Sequence, residues 1–282
     1  MNSTGIHHIP VGDAEVAVHT AGSGVPLLLL HAFPLDHSMW LGQQPLADQV
    51  RLIVPDLRGF GASRGGPPES MAQLADDTVA LLDALHVAGP AVVCGVSMGG
   101  YVAQHVAVRH PDRVAALILV DTKLEADTLE ARAGRAELAA KVGRLGLGIL
   151  ADAMIPRLLA ARRPSHPAAD RDRIETLLRH TITAQSTAAV QAALGALGGR
   201  PDMSGAMGRV VAPVLLVTGA EDVITPPACA EHAAALIADA KLLIVPEAGH
   251  LVPLERPDVF NAAALEFLRE LPGDRLRGAG PA

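Results

Sequence analysis

The sequence predicts an α/β fold in which a mostly parallel sheet is flanked by helices on both faces. One observation is a series of short, nearly continuous apolar segments, which are typical of strands buried on both faces. A second is that helical segments alternate with them at the connection lengths of parallel strand–helix–strand units. The chain has 282 residues, half of them hydrophobic, which is enough for a sizeable core and excludes a largely disordered chain.

Seven segments have the pattern of strands. Residues 14–22, AEVAVHTAG, alternate between apolar and polar side chains, which predicts a half-exposed strand. The other six are almost continuously apolar, which predicts strands in the interior of a parallel sheet. They are residues 25–32, 50–56, 91–97, 114–121, 211–219 and 240–249.

Helices are predicted between these strands. Residues 70–87 open with Ser70 and have Gln73 three positions later, the signature of a capping box, and apolar side chains then recur at helical spacing. Residues 98–111 end at a proline, residues 226–238 begin with prolines, and residues 256–271 form the last predicted helix.

One long segment interrupts the alternation. Residues 122–209 contain helical stretches but no strand candidate, so we expect a helical insertion, or cap, between two strands of a core formed by residues 1–121 and 210–282. The cap stretches are residues 125–142, 148–162, 169–183 and 186–198. A helical layer over the carboxyl ends of the strands would act as a lid on a site at that edge.

Composition excludes several classes of partner. The net charge is −7 and no basic run occurs, so nucleic acid is not expected as a partner. The N-terminus lacks the pattern of a signal peptide and the apolar runs are too short to cross a bilayer, so no membrane partner is expected. The two cysteines, Cys94 and Cys229, predict neither a disulfide framework nor a metal site. We therefore expect a cytoplasmic protein without a metal or organic cofactor.

The segment VVCGVSMGG, residues 92–100, carries the main candidate for chemistry. Gly95, Ser97 and Gly99 form a G-x-S-x-G motif between a predicted strand and a predicted helix, the context in which a serine is held on a sharp turn with its hydroxyl exposed. Small residues are needed on each side because larger ones would collide with the neighbouring strand and helix. The alternative is a glycine-rich turn whose serine merely caps the helix.

A serine hydroxyl needs a base, and the base needs an acid to orient it. Among 12 histidines, His250 follows the last strand candidate, where a loop can reach across the sheet edge to Ser97. Three carboxylates also follow strand candidates and remain open on this reasoning: Asp121, Glu221 and Asp222. Carboxylates at strand ends also commonly cap a following helix.

An acyl-transfer site also needs donors for the oxyanion. The backbone N–H of Met98, directly after the serine, is one candidate. The second comes from the loop after an earlier strand, LLLLHAFPLDHSMW, where Phe33 is the expected donor. His31 in that loop is expected to hold its shape through hydrogen bonds.

Five segments together resemble the α/β-hydrolase superfamily over essentially the whole chain. They are LLLHAFPLDHSMW, DLRGFGAS, GVSMGG, GAEDVITPP and AGHLVPLERPD, in the family's order and spacing. The resemblance implies an eight-stranded sheet with a cap inserted after the sixth strand. It further implies nucleophile Ser97, acid Asp222, base His250 and oxyanion donors Phe33 and Met98.

The resemblance is strongest to small esterases, enol-lactonases and cofactor-free perhydrolases. It implies hydrolysis of a small carboxylic ester or lactone through an acyl-enzyme. A serine at the motif argues against haloalkane dehalogenases and epoxide hydrolases, which use an aspartate there. Perhydrolysis, carbon–carbon bond hydrolysis and a non-catalytic ligand receptor on the same fold remain as alternatives.

Two further expectations concern the loop and the substrate pocket. The family often has glycine after the loop histidine, where this chain has Ala32, so the oxyanion loop is expected to be slightly reshaped. Substrate contacts are expected from Met154, Leu158, Leu251 and Val252. For Trp40 the alternatives are a substrate contact and packing in the core. The sequence does not predict the oligomeric state.

Overall fold

The computed structural model describes residues 5–162 and 168–273, which form one eight-stranded sheet with helices around it. The strands are β1 (Ile6–Val11), β2 (Ala14–Ala21), β3 (Pro26–Leu30), β4 (Arg51–Pro55), β5 (Ala91–Val96), β6 (Val114–Val120), β7 (Val214–Gly219) and β8 (Ala240–Val245). Their order in the sheet is β1-β2-β4-β3-β5-β6-β7-β8. The predicted α/β fold with an eight-stranded sheet is confirmed.

The helices account for most of the remaining described chain. They are α1 (Met71–Ala84), α2 (Met98–Arg109), α3 (Leu129–Leu145), α4 (Gly148–Leu158), α5 (Ala168–Ala184), α6 (Thr187–Gly199), α7 (Ser204–Met207), α8 (Pro227–Leu236), α9 (Val252–Glu255) and α10 (Pro257–Glu270). Two 3-10 helices, His37–Asp48 and Pro111–Arg113, were not predicted.

Strand direction explains where a site can form. β1, β2 and β4 pair antiparallel, whereas β4, β3, β5, β6, β7 and β8 run parallel to one another. Every residue of β5, β6 and β7 is buried, as the continuous apolar runs predicted. The carboxyl ends of these parallel strands meet at one edge of the sheet, and the loops leaving them are therefore neighbours.

Two groups of helices cover the sheet. α1, α2, α7 and α8 contact one another in series, while the 3-10 helix His37–Asp48 contacts α9 and α10. Five helices, α3 to α7, lie between β6 and β7, and the described part of this segment holds no strand. Within it α3 packs on α6, and α4 packs on α5.

The edges of the sheet differ from the sequence prediction. β1 (IHHIPV) was not predicted, because an outer strand that is mostly exposed carries histidines and a proline instead of an apolar run. The run 240–249 was expected to be an interior strand, but β8 ends at Val245 and forms the other edge, with Leu242 and Ile244 over one third exposed. Continuous apolar composition thus overstated burial at this edge.

The helices of the described chain are all too short or too polar to span a membrane. Both cysteines are free: Cys94 is buried in β5 and Cys229 is partly buried on α8. Burial raises the pKa of the Cys94 thiol, so this side chain stays protonated and acts as a small core residue.

The predicted capping box of α1 is modified in the structure. The Ser70 hydroxyl accepts a hydrogen bond from the Gln73 backbone N–H at 3.1 Å, as expected for an N-cap. The Gln73 side chain accepts from the backbone N–H of Glu69 at 2.8 Å, one residue earlier than in a standard capping box.

Replacing Ser70 with alanine removes the acceptor for the Gln73 N–H and should lower the free energy of unfolding by about 1 kcal/mol. Urea denaturation followed by circular dichroism measures this change. Ser70→Asp, which restores an acceptor, should lose much less. Equal losses in both variants would contradict the capping role.

Candidate active site

The turn between β5 and α2 holds Ser97 in a strained conformation. Its backbone has φ 51° and ψ −109°, a region that side-chain-bearing residues rarely adopt. Glycines make this turn possible by close approach. A Cβ on Gly95 would lie 2.1 Å from the Gly99 carbonyl oxygen, and a Cβ on Gly99 would lie 2.1 Å from the Leu30 carbonyl oxygen. Flanking glycines are therefore a steric requirement here.

The Ser97 backbone is tied to the neighbouring strand, whereas its hydroxyl remains available. The Ser97 N–H donates to the Val120 carbonyl at 2.9 Å, and the Thr122 hydroxyl donates to the Ser97 carbonyl at 3.1 Å. The residue is partly exposed, and no hydrogen bond between described residues involves its hydroxyl. The hydroxyl is thus not engaged by another group of the described chain.

Asp222 and His250 form a buried pair at the same sheet edge. Asp222 Oδ2 lies 2.7 Å from His250 Nδ1, and both side chains are almost fully buried. In the tautomer that carries its proton on Nδ1, the imidazole donates to this carboxylate and Nε2 is left as an acceptor. No hydrogen bond joins Ser97 and His250 among the described residues. The contact between a nucleophile and its base is often longer than a hydrogen bond before a substrate is bound.

The Asp222 carboxylate is held by three further donors. The backbone N–H groups of Ile224 and Thr225 donate to Oδ1 at 2.7 and 3.0 Å, and the Thr225 hydroxyl donates to Oδ2 at 2.7 Å. Burial opposes ionisation, but the hydrogen bonds from His250, Thr225 and Ile224 hold the pKa of Asp222 below its ordinary value. The side chain is therefore an anion at neutral pH.

The three carboxylates left open by the sequence have different surroundings. Asp222 contacts His250, whereas Glu221 accepts a hydrogen bond from the Ala161 N–H at 3.1 Å. Asp121 accepts backbone hydrogen bonds from Gly219 and Val252. Of these three carboxylates, Asp222 is therefore the one that bonds to His250.

A short network anchors the loop of His250 to the end of α4. The His250 N–H donates to the Leu158 carbonyl at 2.9 Å. The Glu255 carboxylate accepts from the Gly249 N–H at 2.8 Å and from the Ala160 N–H at 2.7 Å. The end of α4 is thereby fixed directly against the loop that carries the imidazole.

The loop after β3 is held by His31. Its Nε2 accepts from the Leu57 N–H at 2.9 Å and its Nδ1 donates to the Ala32 carbonyl at 3.0 Å. Burial lowers the pKa of His31, and the neutral ring fits one accepting and one donating nitrogen. The role expected for His31 in shaping the loop agrees with these contacts.

The segments that carry the two expected oxyanion donors, Phe33 and Met98, pack against each other. Gly99 sits against the Leu30 and His31 carbonyls, so the start of α2 packs on the start of the loop that carries Phe33. Met98 is the first residue of α2, and its N–H has no partner within the helix. Ala32 does not have a positive φ, so the loop of this chain does not require glycine there.

The expected substrate contacts are buried apolar residues. Leu158, Leu251 and Val252 are fully buried, and Met154 packs against the core while partly exposed. Trp40 is buried with its ring beside Phe260 of α10, which is the packing alternative.

A groove of about 710 Å³ lies between α4, α5 and the loop of Asp222. Its lining residues include Ile155, Leu159, Arg171 and Val223, but neither Ser97 nor His250. The groove therefore lies apart from the hydroxyl and the imidazole.

One group of side chains in the described part of the chain has the spacing of metal ligands: Asp36, His37 and Asp56. His37 Nδ1 lies 2.7 Å from Asp56 Oδ1, and Asp56 Oδ2 accepts from the Ala62 N–H at 2.8 Å. These contacts fix the turn of residues 56–63.

Comparison with known proteins places the chain in a family. Residues 25–257 match the family model described as alpha/beta hydrolase fold, and the chain belongs to this family. It is 32% identical over 255 residues to a pimeloyl-[acyl-carrier protein] methyl ester esterase of Chromobacterium violaceum, covering 89% of this chain and 97% of the relative. It is 32% identical over 246 residues to 3-oxoadipate enol-lactonase 2 of Acinetobacter baylyi, covering 84% and 86% of the two chains.

A solved structure is also similar along the whole chain. The thermophilic esterase from Thermogutta terrifontis superposes with a TM-score of 0.88 and 37% sequence identity, covering 95% of this chain and 99% of that one. The resemblance to the α/β-hydrolase superfamily stated from the motifs is confirmed.

Two residues of the site were not predicted from the sequence. Thr225 stands three positions after Asp222, a spacing at which a carboxylate commonly accepts a backbone N–H as in a helix cap, and the sequence does contain this signal. Glu255 binds the backbone of two separate segments, and no local pattern reveals such contacts.

The close approach of Gly99 to Leu30 yields a stability prediction. Gly99→Ala should lower the free energy of unfolding by at least about 2 kcal/mol, because its Cβ would overlap a backbone carbonyl that has little room to move. Gly134→Ala in α3 is the matched control, since a Cβ there meets no atom within 4 Å and should stabilise the helix by up to about 1 kcal/mol. Chemical denaturation measures both, and similar values would contradict the steric argument.

Proposed function

We propose that this protein hydrolyses small carboxylic esters or lactones, with Ser97 as nucleophile, His250 as general base and Asp222 as the orienting acid. The observation that carries the proposal is the buried 2.7 Å contact between Asp222 and His250 at the sheet edge where the strained turn presents Ser97. A nucleophile, a base and an acid on separate strand ends are the requirements of acyl transfer through a serine.

Family membership and the relatives support the coarser statement, that the chain is a hydrolase acting on ester bonds. Relatives named as a methyl ester esterase and an enol-lactonase are each 32% identical to it. These relatives favour a carboxylic ester or a lactone over other acyl compounds. Neither relative indicates which acid and which alcohol the substrate of this protein contains.

Acylation begins when the Ser97 hydroxyl transfers its proton to His250 Nε2 and its oxygen attacks the carbonyl carbon. The negative charge that develops on the carbonyl oxygen is stabilised by the backbone N–H groups of Phe33 and Met98. The ionised Asp222 stabilises the imidazolium without taking its proton. His250 then protonates the leaving oxygen, and the acyl group remains on Ser97.

Deacylation repeats these steps with water. His250 takes a proton from the water, which attacks the acyl carbonyl, and the same N–H groups bind the oxyanion. Collapse of the intermediate returns the proton from His250 to Ser97 and releases the carboxylic acid. These steps use only side chains and backbone groups of this chain.

The proposal also gives the helical cap the role of a lid over the site. Residues 122–209 would cover a site built on the core segments 1–121 and 210–282, and the contacts of Leu158 and Ala160 with the His250 loop bring the cap to the site. The acyl pocket would then be lined by Met154, Leu158, Leu251 and Val252. Such a pocket is aliphatic, in keeping with a chain that contains only 2% aromatic residues.

The test is a substrate panel on the purified wild type beside Ser97→Ala. p-Nitrophenyl acetate, p-nitrophenyl butyrate and small lactones should be hydrolysed by the wild type only. A serine-directed fluorophosphonate should label the wild type once. If the wild type oxidises halide with peroxide but hydrolyses no ester, a perhydrolase would replace the proposal. If it shows no turnover and no labelling, a ligand receptor would be favoured.

The triad also yields a kinetic prediction. Ser97→Ala and His250→Ala should each lower kcat by about ten-thousandfold or more, and the double variant should be no slower than either one, because the residues act as a unit. Steady-state ester hydrolysis measures these rates. His232→Ala, which changes an exposed histidine on α8, should keep the wild-type rate. Additive losses in the double variant would show that the two residues do not act together.

Thr225 provides a finer prediction about the acid. Thr225→Val removes the hydroxyl that donates to Asp222 Oδ2, and a hydrogen bond to a charged group contributes about 1.5–3 kcal/mol. We expect kcat to fall about tenfold as the carboxylate loses a fixed donor. Thr225→Ser should retain most of the rate, and a wild-type rate in Thr225→Val would exclude this role.

A further inference from the structure

Residues 120–122, at the end of β6, form hydrogen bonds with the segments that carry the three residues of the proposed triad. Val120 accepts from the Ser97 N–H, and the Thr122 hydroxyl donates to the Ser97 carbonyl. Between them, Asp121 faces the opposite neighbours, β7 and the loop of His250. Residues 120–122 therefore connect the nucleophile to the acid and base segments.

Asp121 makes its connections with one oxygen to each segment. Oδ1 accepts from the N–H of Gly219 at 2.9 Å, and Oδ2 accepts from the N–H of Val252 at 3.1 Å. Gly219 is the last residue of β7, three positions before Asp222, and Val252 lies two positions after His250. One carboxylate thus bridges the strand end that carries the acid and the loop that carries the base.

The surroundings of Asp121 show that this arrangement has a cost. The side chain is almost fully buried, and its backbone φ of 46° lies in the left-handed region. Burial, with the nearby Asp222 charge, raises the pKa of Asp121 to about 7, while His250 and the two backbone N–H groups oppose that rise. An apolar side chain at this position would accept neither N–H and would leave both backbone donors buried without this partner.

We propose that Asp121 is a positioning residue, which sets the distance and orientation of the Asp222–His250 pair relative to Ser97. This inference rests on the proposed function. Asp121 touches neither the substrate nor the hydroxyl and acts by holding Gly219 and Val252 at a fixed separation. Loss of one bridge would let the His250 loop shift against β7, and a shift of about 1 Å at a reacting group can lower a rate about a hundredfold.

The main test compares Asp121→Asn with the wild type. Asparagine keeps the shape, but its amide NH₂ faces one of the two backbone N–H groups, so one bridge is lost. We expect kcat to fall tenfold to a hundredfold, while KM for p-nitrophenyl acetate changes less than about twofold. Rates are expressed per site titrated with fluorophosphonate, so that a smaller folded fraction does not count as a slower enzyme.

Thr218→Val is the matched control. Thr218 neighbours Gly219 in β7, is equally buried, and its hydroxyl has no hydrogen-bond partner among the described residues. This variant should keep the wild-type kcat. A wild-type kcat per titrated site in Asp121→Asn would overturn the inference, because a purely structural role changes only the amount of folded protein.

Hydrogen exchange provides a second measurement that does not depend on turnover. In the wild type the amides of Gly219 and Val252 should exchange as slowly as those of the interior strands, and in Asp121→Asn at least one should exchange about tenfold faster or more. Unprotected amides in the wild type would overturn the inference even if the variant does not fold. A wild type that is protected but hydrolyses no ester would instead refute the proposed function alone.

Discussion

The positive φ of Ser97 is the constraint on which the rest of the site depends. A strained residue of this kind costs about 1–3 kcal/mol and persists only when its surroundings determine it fully. Here Gly95 and Gly99 leave no room for side chains, and the Ser97 N–H is bonded to Val120 in the next strand. The serine is therefore held by the sheet itself, and its hydroxyl makes no capping hydrogen bond to the helix that follows.

The parallel sheet places the Asp222–His250 pair at the same edge as Ser97. Asp222 and His250 are 28 positions apart, yet they meet because β7 and β8 are adjacent and end at the same edge. The end of β6 lies between them and Ser97, and its backbone and side chains bond to both sides. Rigid strands thus fix the spacing of these segments, and the helices between β6 and β7 add a contact to the His250 loop through Leu158.

The sequence predicts those parts of the molecule whose information is local. Interior strands such as β5 and β6 are buried on both faces, so their apolar composition alone identifies them. The edge strand β1 lacks an apolar run, and the edge strand β8 has one although it is partly exposed. The G-x-S-x-G turn is equally local. Residue chemistry could not separate Asp222 from Glu221, because both side chains carry a carboxylate. Only the structure shows that Asp222 bonds to His250 and Glu221 to the Ala161 N–H. The contacts of Asp121 reach residues 98 and 131 positions away, and no sequence pattern encodes them.

The most direct test of this account is the site of covalent acylation. The protein is mixed with p-nitrophenyl acetate, quenched in acid within the first turnover, digested and analysed by mass spectrometry. We expect one acetyl group on the peptide that contains Ser97, and no acetyl group in Ser97→Ala. Acetylation of another residue that is competent in turnover, or ester hydrolysis that persists undiminished in Ser97→Ala, would contradict the account.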